Sequence, residues 1–350
     1  MLSLASNLKG QPAAEGSAAI RPPKDIGSPV LASVLPVVEQ SRDVRTNVDK
    51  IVETAGWMAY EELPMAEFLL PFGLGNDRNQ VVDFVLVSTT LNFAFTDFST
   101  HEVFQVDFAG RRWWDAEAMF ACLKRALDEG VPVLDGRYLR SITRADLEKI
   151  FRSFTPLPLL DERVEILRAV GEVLSTRYDG HFHRFVDAGP SRLYAEGEGL
   201  LERLVKEFPR FNDVSRYGEH EVKLFKLAQL GLWLLHSAFY RSGGFRLEDI
   251  SRMTAFADYI LPVALRLMGI FTYSPALSEA VEQRHLIPRD STQEIEIRAH
   301  TLYATALLTE EINKLRPADR KVIIPQIDAR LWTHYHATFL PHHLTRTIMY

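Results

Sequence analysis

From residue 114 onward the chain repeats one pattern. Apolar side chains recur every three or four residues, and short connections holding Pro or Gly interrupt them. The stretches 114–128, 144–154, 160–175, 200–208, 221–240, 256–268, 294–314 and 327–339 all carry it. This period collects apolar positions on one side of an α-helix, so most of the chain must bury helical faces against other helices. The connections Gly130-Val131-Pro132, Pro156-Leu157-Pro158 and Ser242-Gly243-Gly244 supply the breaks. Two helix starts also carry capping signals. Thr143 stands three residues before Asp146, and Ser291 three before Glu294.

The N-terminal third reads differently. Val34, Val37, Val38, Val44, Val48, Ile51 and Val52 keep the helical period, which closes at 57–64, WMAYEELP. The run 81–87, VVDFVLV, is dense in β-branched residues and predicts a strand leading into 91–95; a second strand is expected at 103–108. The first thirty residues are rich in Ala, Ser, Gly and Pro and hold few large apolar side chains. They bury too little to offset their ordering entropy and read as a disordered tail. Their opening is faintly like a transit peptide, but Glu15 and Asp25 speak against targeting. The economical architecture is one mainly α domain over 31–350 with a small β-element near 81–108.

Composition removes several function classes. The net charge is −6 with no basic block, which disfavours a binder of nucleic-acid backbones. No apolar run approaches the ~20 residues of a membrane span. The single cysteine, Cys122, excludes a disulfide framework, fits a reducing, cytoplasmic compartment, and lies in an apolar run as a core residue would. No GxSxG elbow, phosphate-binding P-loop or GxGxxG is present. His334, His336, His342 and His343 cluster near Asp328, but not at the i, i+4 spacing of a helical metal motif, so no metal is expected there. His181 and His183 stand two apart, which suits one face of a strand, or a turn.

The most unusual stretch is 253–262, MTAFADYILP. It sets Phe256, Asp258 and Tyr259 among apolar residues and ends at Pro262. A carboxylate in such surroundings must be paired, protonated or used. Spacing alone leaves a helix-start Asp or a salt-bridged core Asp open.

Ordered along the chain are LNFAF (91–95), RALDEGVPVLDGRYLRSIT (125–143), YDGHFHRFV (178–186), FNDV (211–214), FKLAQL (225–230), MTAFADYILP, IFTYSPAL (270–277), EIEIRA (294–299), IDARLW (327–332) and the C-terminal PHHLTRTIMY. Together they resemble the queuosine salvage protein family, the queuosine 5′-phosphate N-glycosylases, over roughly residues 35–350. The resemblance implies a fold like the helical domain of DNA glycosylases, no metal or organic cofactor, and hydrolysis of the N-glycosidic bond of queuosine 5′-monophosphate. Queuine is thereby released for salvage into tRNA. It also implies that Asp258 is the catalytic carboxylate and that Phe256, Asp328 and Trp332 face substrate. Two further pocket positions fall on His336 and Glu61, which depart from the family pattern. FKLAQ and ADYILP also differ from the family's FKRAQ and ADYRVP, and Thr96 stands where Trp is usual.

The chemistry is compatible. Breaking a ribosyl–nitrogen bond builds positive charge on the sugar, which a fixed carboxylate stabilises or attacks. A 7-deazaguanine has no N7 to protonate, so its departure needs hydrogen bonds at N3 or the Watson–Crick edge. Phe256, with Trp332 or Phe93 opposite, could hold the base. Asp328 suits queuine's cationic amine or diol. Lys223, Lys226 and Arg346 are the candidate phosphate cations. Queuosine 5′-monophosphate is the expected partner of a monomeric enzyme that contacts neither nucleic acid nor membrane. Alternatives are a non-catalytic binder of a modified base or nucleotide, and a DNA-repair glycosylase, which the acidic charge opposes.

Overall fold

The computed structural model describes residues 21–68, 72–336, 338 and 340–350. Its axis is the helix Thr292–Leu315, 24 residues long and buried at nearly every position from Glu294 to Thr309. The Ser291 hydroxyl starts it by accepting the Glu294 N–H at 3.3 Å. Around it pack the helices Pro29–Gln40, Val48–Met58, Leu261–Leu267 and Ile324–Tyr335. A helix enclosed in this way can carry charge only where each charge has partners. Glu296 accepts the backbone N–H groups of Arg42, Asp43 and Val44 at 3.0, 2.7 and 3.0 Å, and the Tyr217 hydroxyl at 2.8 Å. It thus satisfies chain that enters the strand Val44–Thr46. Arg298 is paired with Asp213 and Glu294.

The mainly α class expected from the periodicity holds, and the β-structure is three two-stranded antiparallel pairs among the described residues. Val44–Thr46 pairs with Phe271–Tyr273, Gln105–Phe108 with Arg111–Trp114, and Val214–Tyr217 with His220–Lys223. The second hairpin turns through Ala109 and Gly110, both at positive φ (51° and 76°), the geometry that matches strand twist in a two-residue turn. The strand expected at 103–108 is there from Gln105.

Three expectations need correction. The run 81–87 is helical, inside Arg78–Thr90, which Asp77 caps by accepting the Asn79 N–H at 2.9 Å. Every residue from Val82 to Thr90 is buried, so its β-branched density reflects burial on all sides of a helix. The stretch 221–240 divides: Glu221–Lys223 lie in a strand, and the helix Lys226–Ala238 begins only after Phe225, whose φ of 48° ends the extended chain. The stretch 256–268 is helical only over Leu261–Leu267.

Residues 1–20 of the expected tail lie outside the described residues. From Arg21 the chain packs. Arg21 pairs with Glu310 and Glu311 at 3.0 and 2.6 Å, and Ser28 caps the helix Pro29–Gln40. Among the described residues no helix is long and apolar enough to cross a membrane.

Candidate active site

Met253–Asp258 is irregular chain between a 3-10 turn, Ile250–Arg252, and the helix Leu261–Leu267, and it bends where the Asp258 N–H meets the Phe256 carbonyl at 2.6 Å. Three buried side chains from elsewhere in the chain, and its own Asp258, fix it. Gln229 brackets Thr254, accepting its N–H and donating to its hydroxyl, both at 2.9 Å. Asp328 accepts the Phe256 N–H at 2.7 Å. Arg298 donates to the Ala257 carbonyl at 3.1 Å, and its other nitrogens hold Asp213 at 3.1 and 2.5 Å. Asp258 Oδ1 accepts the Ile260 and Leu261 N–H groups at 2.8 and 3.2 Å, so the residue does cap a helix start. Among the described residues nothing donates to its second oxygen.

The turn 91–95 forms a second wall. Arg163, fully buried, donates to the carbonyls of Leu91, Phe93, Ala94 and Pro158, and its guanidinium lies 4.0 Å above the Phe93 ring. Arg210 donates to the Thr90 carbonyl at 2.7 Å and covers the same ring at 4.7 Å. Held this way, Phe93 and Asn92 line, together with Phe256 and Asp258, a cavity of about 370 Å³, within the range of small-molecule sites. Trp113, Phe120, Trp233 and Trp332 add aromatic wall. The charged lining includes Asp115, Asp258, Asp328 and Lys226.

Those four groups perturb one another. Burial pushes all three carboxyls up, and the charge of Asp258 adds to it for Asp115 and Asp328. Asp328 is held furthest above its ordinary range, by burial and then by Asp258. For Asp258 burial is opposed by Lys226, the two backbone donors and Arg298. Burial lowers Lys226, against the pull of Asp258. Two carboxyls beside one cation are therefore set apart: burial and Asp258 push Asp328 well above its ordinary range, while Lys226, two backbone amides and Arg298 pull Asp258 back against its burial. Asp115, partly open to the cavity, is pushed up to about 6 by burial, with the Ala116 N–H and His336 opposing. It stands at φ 56°, a left-handed backbone that Asp tolerates better than most residues.

A family profile described as "Queuosine salvage protein" matches residues 73–350. The chain belongs to the queuosine salvage protein family. It is 34% identical over 325 residues to a protein of Sphaerobacter thermophilus, a match spanning 92% of this chain and 97% of the relative. A Bos taurus relative is 29% identical over 307 residues, covering 84% of this chain and 86% of its own. One from Mus musculus is 27% identical over 335 residues, covering 90% and 96%. All three relatives are named queuosine 5′-phosphate N-glycosylase/hydrolase.

In this member of the queuosine salvage family, six of the residues singled out from sequence meet around one cavity: Phe93, Lys226, Phe256, Asp258, Asp328 and Trp332. Four do not line it. Glu61 forms a bidentate pair with Arg330 at 2.6 and 2.9 Å, so its carboxylate ties 57–64 to the helix Ile324–Tyr335. Exposed His336 stacks flat on Trp332, with ring centres 4.4 Å apart. Lys223 lies 3.5 Å from Glu221, and exposed Arg346 pairs with Glu162 at 2.8 Å.

Sequence reasoning missed Asp115, Trp113, Trp233 and Tyr350. An Asp at a helix start ordinarily signals a cap, which hid Asp115. Tyr350 enters the wall because the C-terminal segment folds back, its carbonyl accepting the Ala94 N–H at 3.3 Å. Cys122 is buried, and burial pushes its thiol up to about 12, as befits a core residue. The C-terminal histidines are dispersed: His342 lies against Tyr259 at 4.4 Å, and His343 Nε2 lies 3.2 Å from the Tyr350 hydroxyl.

Proposed function

We propose that this chain hydrolyses the N-glycosidic bond of queuosine 5′-monophosphate and releases queuine for salvage into tRNA, with Asp258 at the reacting centre. The observation that carries this reading is the meeting, in one aromatic-walled cavity, of two buried carboxyls, Asp258 and Asp328, with Lys226. The names of the relatives support the substrate.

The deazaguanine ring lies between Phe256 and the Trp332–Phe93 side, where each stack contributes about 1–3 kcal/mol. Asp258 turns its unbonded oxygen toward the anomeric carbon. As the bond to the base lengthens, its charge stabilises the ribosyl cation or closes on it. Its Oδ1 stays on the Ile260 and Leu261 amides, so the carboxylate does not reorient during the step. In this reading Asp328 carries a proton and donates a hydrogen bond toward the departing base, which has no N7 to protonate; a water then adds its hydroxyl to the anomeric carbon, freeing Asp258, and its proton completes neutral queuine. Because Asp328 is neutral in this arrangement, Asp115 takes over the pairing with queuine's cationic amine. Lys226 remains, among the cations suggested for the phosphate, the one that reaches the cavity. The protein acts without an organic cofactor, in the cytoplasm and as a monomer.

The test is chromatography of free queuine after incubation of the purified protein with queuosine 5′-monophosphate. Turnover supports the hydrolase. Saturable binding without release would leave a binding protein for the modified nucleotide.

A further inference from the structure

Away from the cavity, the helix Arg78–Thr90 buries one charged residue, Asp83. Opposite it, the chain turns at Gly180 and enters the short helix Phe182–Asp187, presenting His181 and His183. Asp83 Oδ2 lies 3.1 Å from His181 Nδ1 and 2.9 Å from His183 Nδ1. The two imidazoles stack with centres 5.0 Å apart. One atom from each of the three residues lies within 4.8 Å of the other two. The remaining carboxylate oxygen, Oδ1, accepts the His183 backbone N–H at 2.7 Å and so fixes the plane of the group. None of the three lines the cavity.

We propose that Asp83, His181 and His183 bind one divalent ion of the zinc class, clipping the helix Arg78–Thr90 to the turn before Phe182–Asp187. Zinc bonds of about 2.0–2.2 Å to imidazole and carboxylate set neighbouring tetrahedral ligands roughly 3.3 Å apart. The separations of 2.9 and 3.1 Å are within a few tenths of that, so small side-chain movements admit the ion. Two imidazoles with one carboxylate suit zinc, cobalt or nickel; calcium and magnesium prefer oxygen-rich shells. The Asp83 and His183 side chains are 5% and 11% exposed and His181 is 30% exposed, so entry and a water ligand lie on the His181 side. The His183 N–H on Oδ1 is the outer-shell contact that orients the carboxylate. Without the ion, each Nδ1 proton is donated to Oδ2. With it, both Nδ1 lone pairs bind metal, a neutral ring carries its proton on Nε2, and a protonated ring releases one proton to solvent. The ion's place outside the cavity makes it a structural clip, so it does not bear on queuine release.

The test uses untagged full-length protein stripped with a chelator. Co²⁺ is titrated by visible absorption and Zn²⁺ by calorimetry, on wild type and on His181→Ala, His183→Ala and Asp83→Asn. One equivalent is expected, with the intense visible bands of four-coordinate cobalt. A Zn²⁺ excess of about 100-fold over Kd raises the thermal midpoint by roughly 4 °C. His181→Ala lies at the more exposed edge and leaves the Asp83–His183 bonds in place, so it carries the test. It should weaken binding at least about 100-fold and abolish the thermal shift while queuine release is unchanged. Failure of wild type to take up a stoichiometric ion would overturn the proposal, and so would wild-type affinity in His181→Ala. The metal readouts are independent of turnover, so this site stands or falls separately from the hydrolase assignment.

Discussion

Arg298 links the buried axis of the fold to Asp258, the carboxylate proposed to react, and replacing it by Lys separates its two tasks. Its guanidinium is 1% exposed and makes three hydrogen bonds, two to Asp213 and one to the carbonyl of Ala257, between Phe256 and Asp258. Lysine keeps the charge but cannot span both partners, because its ammonium is a single point and lacks the planar fork. The Asp213 pair weakens and Ala257 loses its donor. Removing a partner from a buried pair costs about 3–5 kcal/mol. The retained charge reduces that to about 2–3 kcal/mol for Arg298→Lys, a large share of a typical 5–15 kcal/mol stability. Urea unfolding should show a lower midpoint at unchanged slope. The freed carbonyl also lets Asp258 drift, and a misplacement of about 1 Å costs on the order of 100-fold in rate. Queuine release measured well below the new midpoint should therefore fall by about 10- to 100-fold, mainly in kcat. Wild-type kcat in a variant destabilised as expected would refute the positioning argument and leave Arg298 as a residue of the fold alone. Unchanged stability would refute the account of the buried pair.

Asp115 binds its proton more tightly in the folded chain, at about 6 against an ordinary 3.8. It therefore costs nothing below pH 3.8 and destabilises increasingly as pH rises toward 6. Asp115→Asn should stabilise the protein at neutral pH by at most about 3 kcal/mol, less for cavity water, with the gain vanishing near pH 4 in urea unfolding. The same variant should raise KM and remove a limb of kcat/KM near pH 6. Lys226→Met should raise KM for the nucleotide more than for the nucleoside. It should also move the rising limb of kcat to higher pH, since Lys226 is the main force opposing the burial of Asp258. Trp332→Ala should raise KM by about 5- to 150-fold, the equivalent of one lost stack, measured by initial rates.

The helical frame was legible because its periods are long and its punctuation chemical: Thr143 and Asp146 do form a reciprocal cap. Residues 81–87 misled because a helix buried all round shows neither period, and β-branching then tips the reading toward a strand. The end of 221–240 as one helix was invisible, since the break at Phe225 depends on Asp213 accepting the Lys226 N–H. Phe256 lies outside a helix because Asp328, 72 residues later, takes its N–H. In the site, Phe256, Asp258, Asp328 and Trp332 were reached through the resemblance of ordered motifs, and Phe93 and Lys226 through charge and ring chemistry. Glu61 and Arg346 failed as pocket residues for a shared reason: each finds an oppositely charged partner from a distant segment, Arg330 and Glu162, which spacing does not encode. Asp115 carries a local sign of its cavity role only in its left-handed backbone, a property of the fold.

The most direct test of the central claim is Asp258→Asn, assayed for both queuine release and queuosine 5′-monophosphate binding. Asparagine keeps the size and the Oδ1 acceptor for Ile260 and Leu261, and removes the charge. The account predicts release reduced by at least about 100- to 1,000-fold, with ligand affinity within a few fold of wild type. Release at the wild-type rate would contradict it and place the chemistry on another group in the cavity.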